Sequence, residues 1–303
     1  SSDLRRSAGL WRAGSSGLGS SPFPPRRWWP GSPIRCFTLP VWTSSRRKKV
    51  QNEFSGKVAL VTGASRGIGA ATAVALARKG VARVLLNYHS YAEGAQATLE
   101  AVRAAGADGE AICANLATLE GIRSLIEQVS ARAPEVDILV NNAGSLVRRA
   151  RLLEFTEELY DQVMTLNFRS AWMLTQAIVP GMLRKGGGVI VNVSSIAGRT
   201  GGGVGATVYA AAKAAVTAMT KGLARELAPH GIRVNAISPG TVDNYFHQRF
   251  STRQMLDAVI AQTPAGRLGT NEEMAEVIVF LCSDAARYIH GQTIEINGGF
   301  YAP

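Results

Sequence analysis

Residues 57–69 constrain this chain more than any other stretch. Lys57-Val58-Ala59-Leu60-Val61-Thr62 is a continuous apolar run behind Ser55-Gly56. Such a run reads as a parallel strand buried on both faces. It leads directly into Gly63-Ala64-Ser65-Arg66-Gly67-Ile68-Gly69, and a helix is expected over residues 67–79, closed by Gly80. Glycines at 63, 67 and 69 permit a tight turn, close approach of a pyrophosphate, and close packing of helix on strand. The helix N-terminus presents unpaired N–H groups to such an anion. No Gly-Lys-Ser/Thr follows the last glycine, so the turn is not a P-loop.

The same alternation continues along the chain. Strands are expected at 83–87, 111–114, 137–140, 189–193, 232–237 and 293–296. Helices are expected over 92–105, 118–132, 156–184 and 207–228, and from the capping box Thr270-x-x-Glu273 to Cys282. Residues 241–269 read as irregular. Strand–helix alternation predicts an α/β fold: a Rossmann-type doubly wound parallel sheet of about seven strands, helices on both faces, in a single domain.

Charge divides the chain. Its net charge is +11, which by itself points to nucleic acid or a membrane surface. Residues 1–52 hold ten basic residues against Asp3 alone, leaving the other 251 residues at +2. The extension carries Pro24-Pro25 and Arg46-Arg47-Lys48-Lys49, lacks periodicity, and reads as a disordered basic tail before a catalytic domain at 53–303. Three readings of it stay open: an extension with no role in the fold, an Arg- and Ser-rich organelle leader, or a nucleic-acid contact. The near-neutral body gives no reason to expect a nucleic-acid or membrane partner. No apolar run approaches the ~18 residues of a membrane span. Cys36, Cys113 and Cys282 are too scattered for a disulfide framework or metal site, so a reducing compartment is expected. That means the cytoplasm, or an organelle matrix if the tail is a leader.

Chemistry enters at Tyr209-Ala-Ala-Ala-Lys213, early in a helix. A spacing of four puts phenol and ammonium on one face, and a nearby ammonium lowers a phenol's pKa from about 10. Such a phenol can give or take a hydroxyl proton. Upstream, the strand at 189–193 ends in Ser194-Ser195, where a hydroxyl points into the ligand crevice of a parallel sheet. Asn167 interrupts an apolar helical stretch and needs a partner.

Asn, then Ser, then Tyr-x-x-x-Lys, behind a Gly-x-x-x-Gly-x-Gly turn, resembles the short-chain dehydrogenase/reductase family. The resemblance spans about residues 54–300 and includes Asn141-Asn142-Ala143-Gly144, Pro239-Gly240 and Gly291–Gly299. It implies that Asn167 holds a proton-relay water, Ser195 binds the substrate oxygen, Tyr209 is the acid–base, and Lys213 holds the ribose hydroxyls and tunes Tyr209. Ser195 is preferred to Ser194 because it directly precedes Ile196-Ala197-Gly198. The implied cofactor contacts are Gly63, Ser65, Arg66, Gly67, Ile68 and Gly69 in the turn, and Asn87 and Ser90 after the second strand. Asn115 and Leu116 follow the third strand, Asn142, Ala143 and Gly144 the fourth, with Pro239 and Gly240 on the nicotinamide side. No metal is implied. Asn115, Asn244 and Asn297 depart from the family's commoner Asp, Thr and Asp.

None of residues 84–92 is acidic, and Arg66 offers a cation. An acid at that strand end would bind a ribose 2′-hydroxyl and repel a 2′-phosphate, so the pattern points to NADP(H). Tyr245, Phe246, His247 and Phe250 make part of 241–269 aromatic, as a lid over an apolar substrate would be. The expected function is NADPH-dependent carbonyl reduction resembling the 3-oxoacyl-carrier-protein reductase branch. A sugar or secondary-alcohol dehydrogenase shares every motif, and a catalytically silent binding protein on this fold is the third reading. The resemblance also implies a homotetramer paired through the helices at 156–184 and 207–228.

Overall fold

The chain alternates strand and helix because each apolar strand run ends in residues that cap or turn. In a computed structural model, which describes residues 53–302, this gives one seven-stranded sheet of order β3-β2-β1-β4-β5-β6-β7. The extension at 1–52 lies outside the described residues. The strands are β1 Val58–Val61, β2 Arg83–Tyr88, β3 Asp108–Cys113, β4 Ile138–Asn141, β5 Gly188–Val193, β6 Ile232–Pro239 and β7 Thr293–Ile296. Every pairing is parallel; Leu60, for example, sits opposite Leu85 on one side and Leu139 on the other. The order reverses between β1 and β4, so a crevice opens above their carboxyl ends.

The helices are α1 Gly67–Arg78, α2 Ala92–Ala104, α3 Leu119–Arg132, α4 Glu157–Met164, α5 Ser170–Lys185, α6 Ala197–Thr200, α7 Thr207–Leu227, α8 Tyr245–Phe250, α9 Arg253–Gln262 and α10 Asn271–Cys282. Successive strand residues face opposite sides. Ala59, Val61, Ile138, Val140, Val189 and Val191 join Leu76, Val102 and Ile278 in one core layer. Leu60, Leu139 and Ile190 join Leu125, Leu174 and Met182 in the other. Burial on both faces explains why central strands β1 and β4 read as apolar runs.

Local chemistry fixes the element ends. Thr156 caps α4 by accepting from Leu159 N at 3.2 Å, with Glu157 and Glu158 in its first turn. Thr270 and Glu273 form the expected capping box of α10.

Three expectations need correction. β3 starts at Asp108, three residues early, because Asp108 and Glu110 sit on a sheet edge where Arg83 pairs with both, at 3.5 and 3.0 Å. The helix expected over 156–184 is broken into α4 and α5 by a π-turn at Thr165–Arg169 around Asn167. The stretch 241–269 is not irregular but holds α8 and α9, capped by Asn244 and Thr252.

Candidate active site

A cleft of about 1450 Å³ opens at the carboxyl ends of the strands. The turn behind β1 forms its floor. Gly63 and Gly67 both take φ of +63°, a left-handed conformation that favours glycine. A methyl group at 69 would collide with the Gly63 carbonyl and the Asn142 amide, so only glycine lets α1 pack this close. Thr62 ties the turn to β4: its Oγ1 accepts from Asn142 N at 2.9 Å and Ala143 N at 3.0 Å. Asn142 Nδ2 in return donates to the carbonyls of Thr62 at 2.7 Å and Gly63 at 3.1 Å.

At the end of β2, the Asn87 amide is spent on protein atoms. Its Oδ1 accepts from Gly63 N at 3.3 Å, and its Nδ2 donates to the carbonyls of Tyr88, Ile112 and Ala114. Asn87 is 2 % exposed and positions the turn, whereas Ser90 stands open to solvent. Asn115 Oδ1 accepts from Ala117 N at 3.0 Å, and Leu116 is buried. Pro239 and Gly240 line the far wall.

Tyr209 and Lys213 project from the first turns of α7, with the Lys213 Nζ 5.7 Å from the Tyr209 ring centre. Lys213 is 3 % exposed, and its Nζ donates to the Val193 carbonyl at 2.8 Å. Burial lowers its pKa to about 8. Burial likewise pushes Tyr209 up to about 12, with Ser195 pulling the other way. This reverses the sequence expectation of a phenol tuned downward: desolvation outweighs the hydrogen bond to Ser195. Of the two serines, Ser194 is buried and bonded to the Lys213 carbonyl and to Thr217. Ser195, half open to the cleft, accepts from Ala197 N at 3.1 Å and faces the Tyr209 phenol.

The Asn167 side chain is fully engaged. Oδ1 accepts from Ser145 N at 3.1 Å, and Nδ2 donates to the carbonyls of Ser145 and Val163, both at 2.8 Å. It therefore fixes the segment after β4. Gly144 fits between Asn167 and Lys213; a methyl there would stand 2.8 Å from both Asn167 Oδ1 and Lys213 Nζ. Ser145 Oγ then accepts from Val147 N at 3.0 Å. Val147 has φ of +60°, a strained conformation for a β-branched residue, and packs on the Ala150–Leu159–Val163 cluster that also receives Tyr209.

The contacts made by Asn192, Thr175, Thr220 and Arg149 escaped sequence reasoning. Asn141 donates to Thr175 at 3.1 Å and to Asn192 at 2.9 Å, and Asn192 donates to Thr220 at 2.9 Å. This buried chain pins β4 and β5 to α5 and α7. Arg149 donates to the carbonyls of Phe250 at 2.6 Å and Val204 at 2.9 Å, clasping α8 to the loop before α7. Phe246 in α8 packs against Tyr209 with ring centres 5.7 Å apart. His247, next to it, is lowered to about 4, first by burial and then by Arg149. Phe246 and His247 belong to the aromatic stretch read as a lid; no sequence signal pointed to Asn192 or Arg149.

A doubly wound parallel sheet, a glycine turn at its first strand, and a Ser–Tyr–Lys group at the switch point define a dinucleotide-dependent oxidoreductase. The family model described as enoyl-(acyl carrier protein) reductase matches residues 63–301. The 3-oxoacyl-[acyl-carrier-protein] reductase FabG of Escherichia coli K12 is 42% identical over 248 residues, covering 82% of this chain and 98% of that protein. Its counterpart in Staphylococcus aureus Mu50 is 40% identical over 245 residues, covering 81% and 98%. Among solved structures, the NADH-dependent reductase A1-R′ of alginate metabolism superposes with a TM-score of 0.75 at 36% identity, covering 83% and 100%. A putative NAD(P)-dependent gluconate 5-dehydrogenase from Beutenbergia cavernae, with bound NADP, gives 0.75 at 37%, covering 82% and 98%. The chain belongs to the short-chain dehydrogenase/reductase family and is an NAD(P)-dependent oxidoreductase acting on carbonyl or hydroxyl groups.

Proposed function

We propose that this chain reduces the ketone of a 3-oxoacyl thioester using NADPH, with Tyr209 as the proton donor. The observation that carries the reading is the Tyr209 phenol beside Ser195 in a cleft walled by Leu146, Val147, Phe246 and Phe250, with Phe246 packed on the phenol ring. The 3-oxoacyl reductase names of its relatives support the substrate class.

The residues present fit the cofactor: Gly63, Ser65, Gly67 and Ile68 line the cleft at the N-terminus of α1, and at Gly67 the nearest atom to a would-be Cβ is Asn271 Oδ1 at 3.7 Å, which leaves room for an anion. Gly63, Ser65, Gly67, Ile68 and Gly69 would hold the pyrophosphate, and Arg66 and Ser90 a 2′-phosphate. Asn115, Leu116, Asn142, Ala143 and Gly144 would flank the adenosine, with Lys213 at the ribose and Pro239-Gly240 at the nicotinamide. When bound, the nicotinamide supplies the hydride. The chain's own part is orientation and proton delivery. Ser195 donates to the substrate oxygen, and Tyr209 protonates that oxygen as charge develops on it. Lys213 is an ammonium below pH about 8, which suits it to hold ribose hydroxyls.

A panel of 3-oxoacyl thioesters, sugars and simple ketones with NADPH and NADH, followed by cofactor absorbance, tests the reading. The expected result is preference for the thioester and NADPH, with kcat reduced at least ~100-fold in Tyr209→Phe. Unchanged turnover in Tyr209→Phe, or preference for a sugar acid, overturns it.

We also infer a homotetramer. Tyr160 and Trp172, 49% and 45% exposed, stand on α4 and α5 and line a shallow apolar pocket with Met164 and Phe168. For the catalytic body, we infer the cytoplasm; an organelle matrix applies if residues 1–52 act as a leader. No helix of the described residues is long and apolar enough to cross a membrane.

A further inference from the structure

Arg66 sits at the mouth of the phosphate turn, and two tyrosine rings lie against it. The ring centres of Tyr91 and Tyr245 are each 4.0 Å from its Cζ. Among the described residues Arg66 enters no ion pair and makes no capping hydrogen bond. A guanidinium stacks by its faces and donates from its edge, so an arginine held by rings keeps its N–H fork free for a planar or phosphate partner.

Each ring is seated for this task. Tyr91 precedes α2 and folds back over Gly94. A methyl group at 94 would overlap the Tyr91 ring and the Ser65 carbonyl, so the ring occupies the place of a missing side chain, hard against the turn. Tyr245 comes from the opposite direction in sequence as the first residue of lid helix α8. Asn244, just before it, accepts from Phe246 N and donates to Asn271 of α10, both at 3.1 Å. Phe246, just after it, packs on Tyr209. One stacked arginine thus joins the cofactor's adenosine end to the helix that walls the catalytic tyrosine.

We propose that Tyr91 and Tyr245 clamp Arg66 so that recognition of a cofactor 2′-phosphate orders the substrate lid α8–α9. The proposal rests on the NADP(H) reading above and adds two positioning residues to it. Phosphate binding at the edge of Arg66 fixes the plane on which Tyr245 stacks, and α8 inherits that order. By linkage, whatever the phosphate does for the lid, the lid ring returns to phosphate affinity.

The test uses the full chain and two soluble probes, 2′,5′-ADP and 5′-ADP, which differ by the 2′-phosphate alone. Hydrogen exchange of peptides over 245–262 and calorimetric affinities are read together. The expected result is slower lid exchange with 2′,5′-ADP than with 5′-ADP. Tyr245→Leu should abolish that difference and weaken 2′,5′-ADP about two- to fivefold, the worth of one exposed cation–π contact, leaving 5′-ADP unchanged. Tyr245→Phe, which keeps the ring, should restore both, and Tyr91→Leu should weaken 2′,5′-ADP alone. If 2′,5′-ADP binds no tighter than 5′-ADP, the NADP(H) reading and the clamp fall together. If it binds tighter and Arg66→Ala removes the gain, yet the lid exchanges identically with both probes or Tyr245→Leu retains the response, the clamp alone is overturned.

Discussion

Lys213 shows how a single residue trades stability for chemistry. It is a buried amine whose only described hydrogen bond is to the Val193 carbonyl. Folding lowers its pKa from 10.5 to about 8. Between those values the unfolded chain binds more protons than the folded one, so the folded state gains stability as pH rises and loses it as pH falls toward 8. The ammonium therefore costs the fold about 3 kcal/mol at neutral pH. Cys282 and Tyr209, both raised to about 12 by burial, pull the opposite way above about 9 and 10. The lysine's share is read as a difference. In denaturant melts, Lys213→Met should be more stable than the parent at pH 7, converge with it toward pH 10, and be inactive. A variant no more stable at pH 7 would place the lysine's burial cost elsewhere.

At the scale of elements, glycines separate the tight joints from the loose ones. Gly69 in α1 has no room for a methyl, whereas Gly222 in α7 meets nothing within 4 Å. Gly222→Ala should therefore stabilise by about 0.5–1 kcal/mol through helix propensity. Gly69→Ala should destabilise by about 1–3 kcal/mol through overpacking and weaken cofactor binding. Thermal melts and cofactor titrations of the two variants check the contrast; equal effects would remove the close-packing role of Gly69. Legibility followed the same division. The turn at 63–69 and the Tyr209–Lys213 spacing were readable because each rests on contacts within a few residues. The π-turn was not, since residues 156–184 keep a helical apolar pattern through it. What distorts the backbone there is the Asn167 amide reaching Ser145, 22 residues upstream. Helices α8 and α9 went unread because their apolar residues face a cleft and not a periodic core.

Over the whole molecule, the near-neutral body of +2 and the exposed aromatics of α4 and α5 bear on assembly. Sedimentation of the full chain should give a tetramer, and Trp172→Glu should dissociate it by placing a charge in an apolar contact. A monomeric parent would overturn the assembly reading. The amino-acid order by itself determined the strand–helix alternation, the parallel sheet, the phosphate turn and the order Asn–Ser–Tyr–Lys, since these depend on local periodicity and near-neighbour spacing. Only the tertiary structure decided that the Asn87 amide serves the turn, that burial raises the Tyr209 pKa, and that Arg66 lies against Tyr91 and Tyr245. The reason is physical: desolvation and stacking depend on groups brought together by the fold, and Arg66 and Tyr245 are 179 residues apart in the chain.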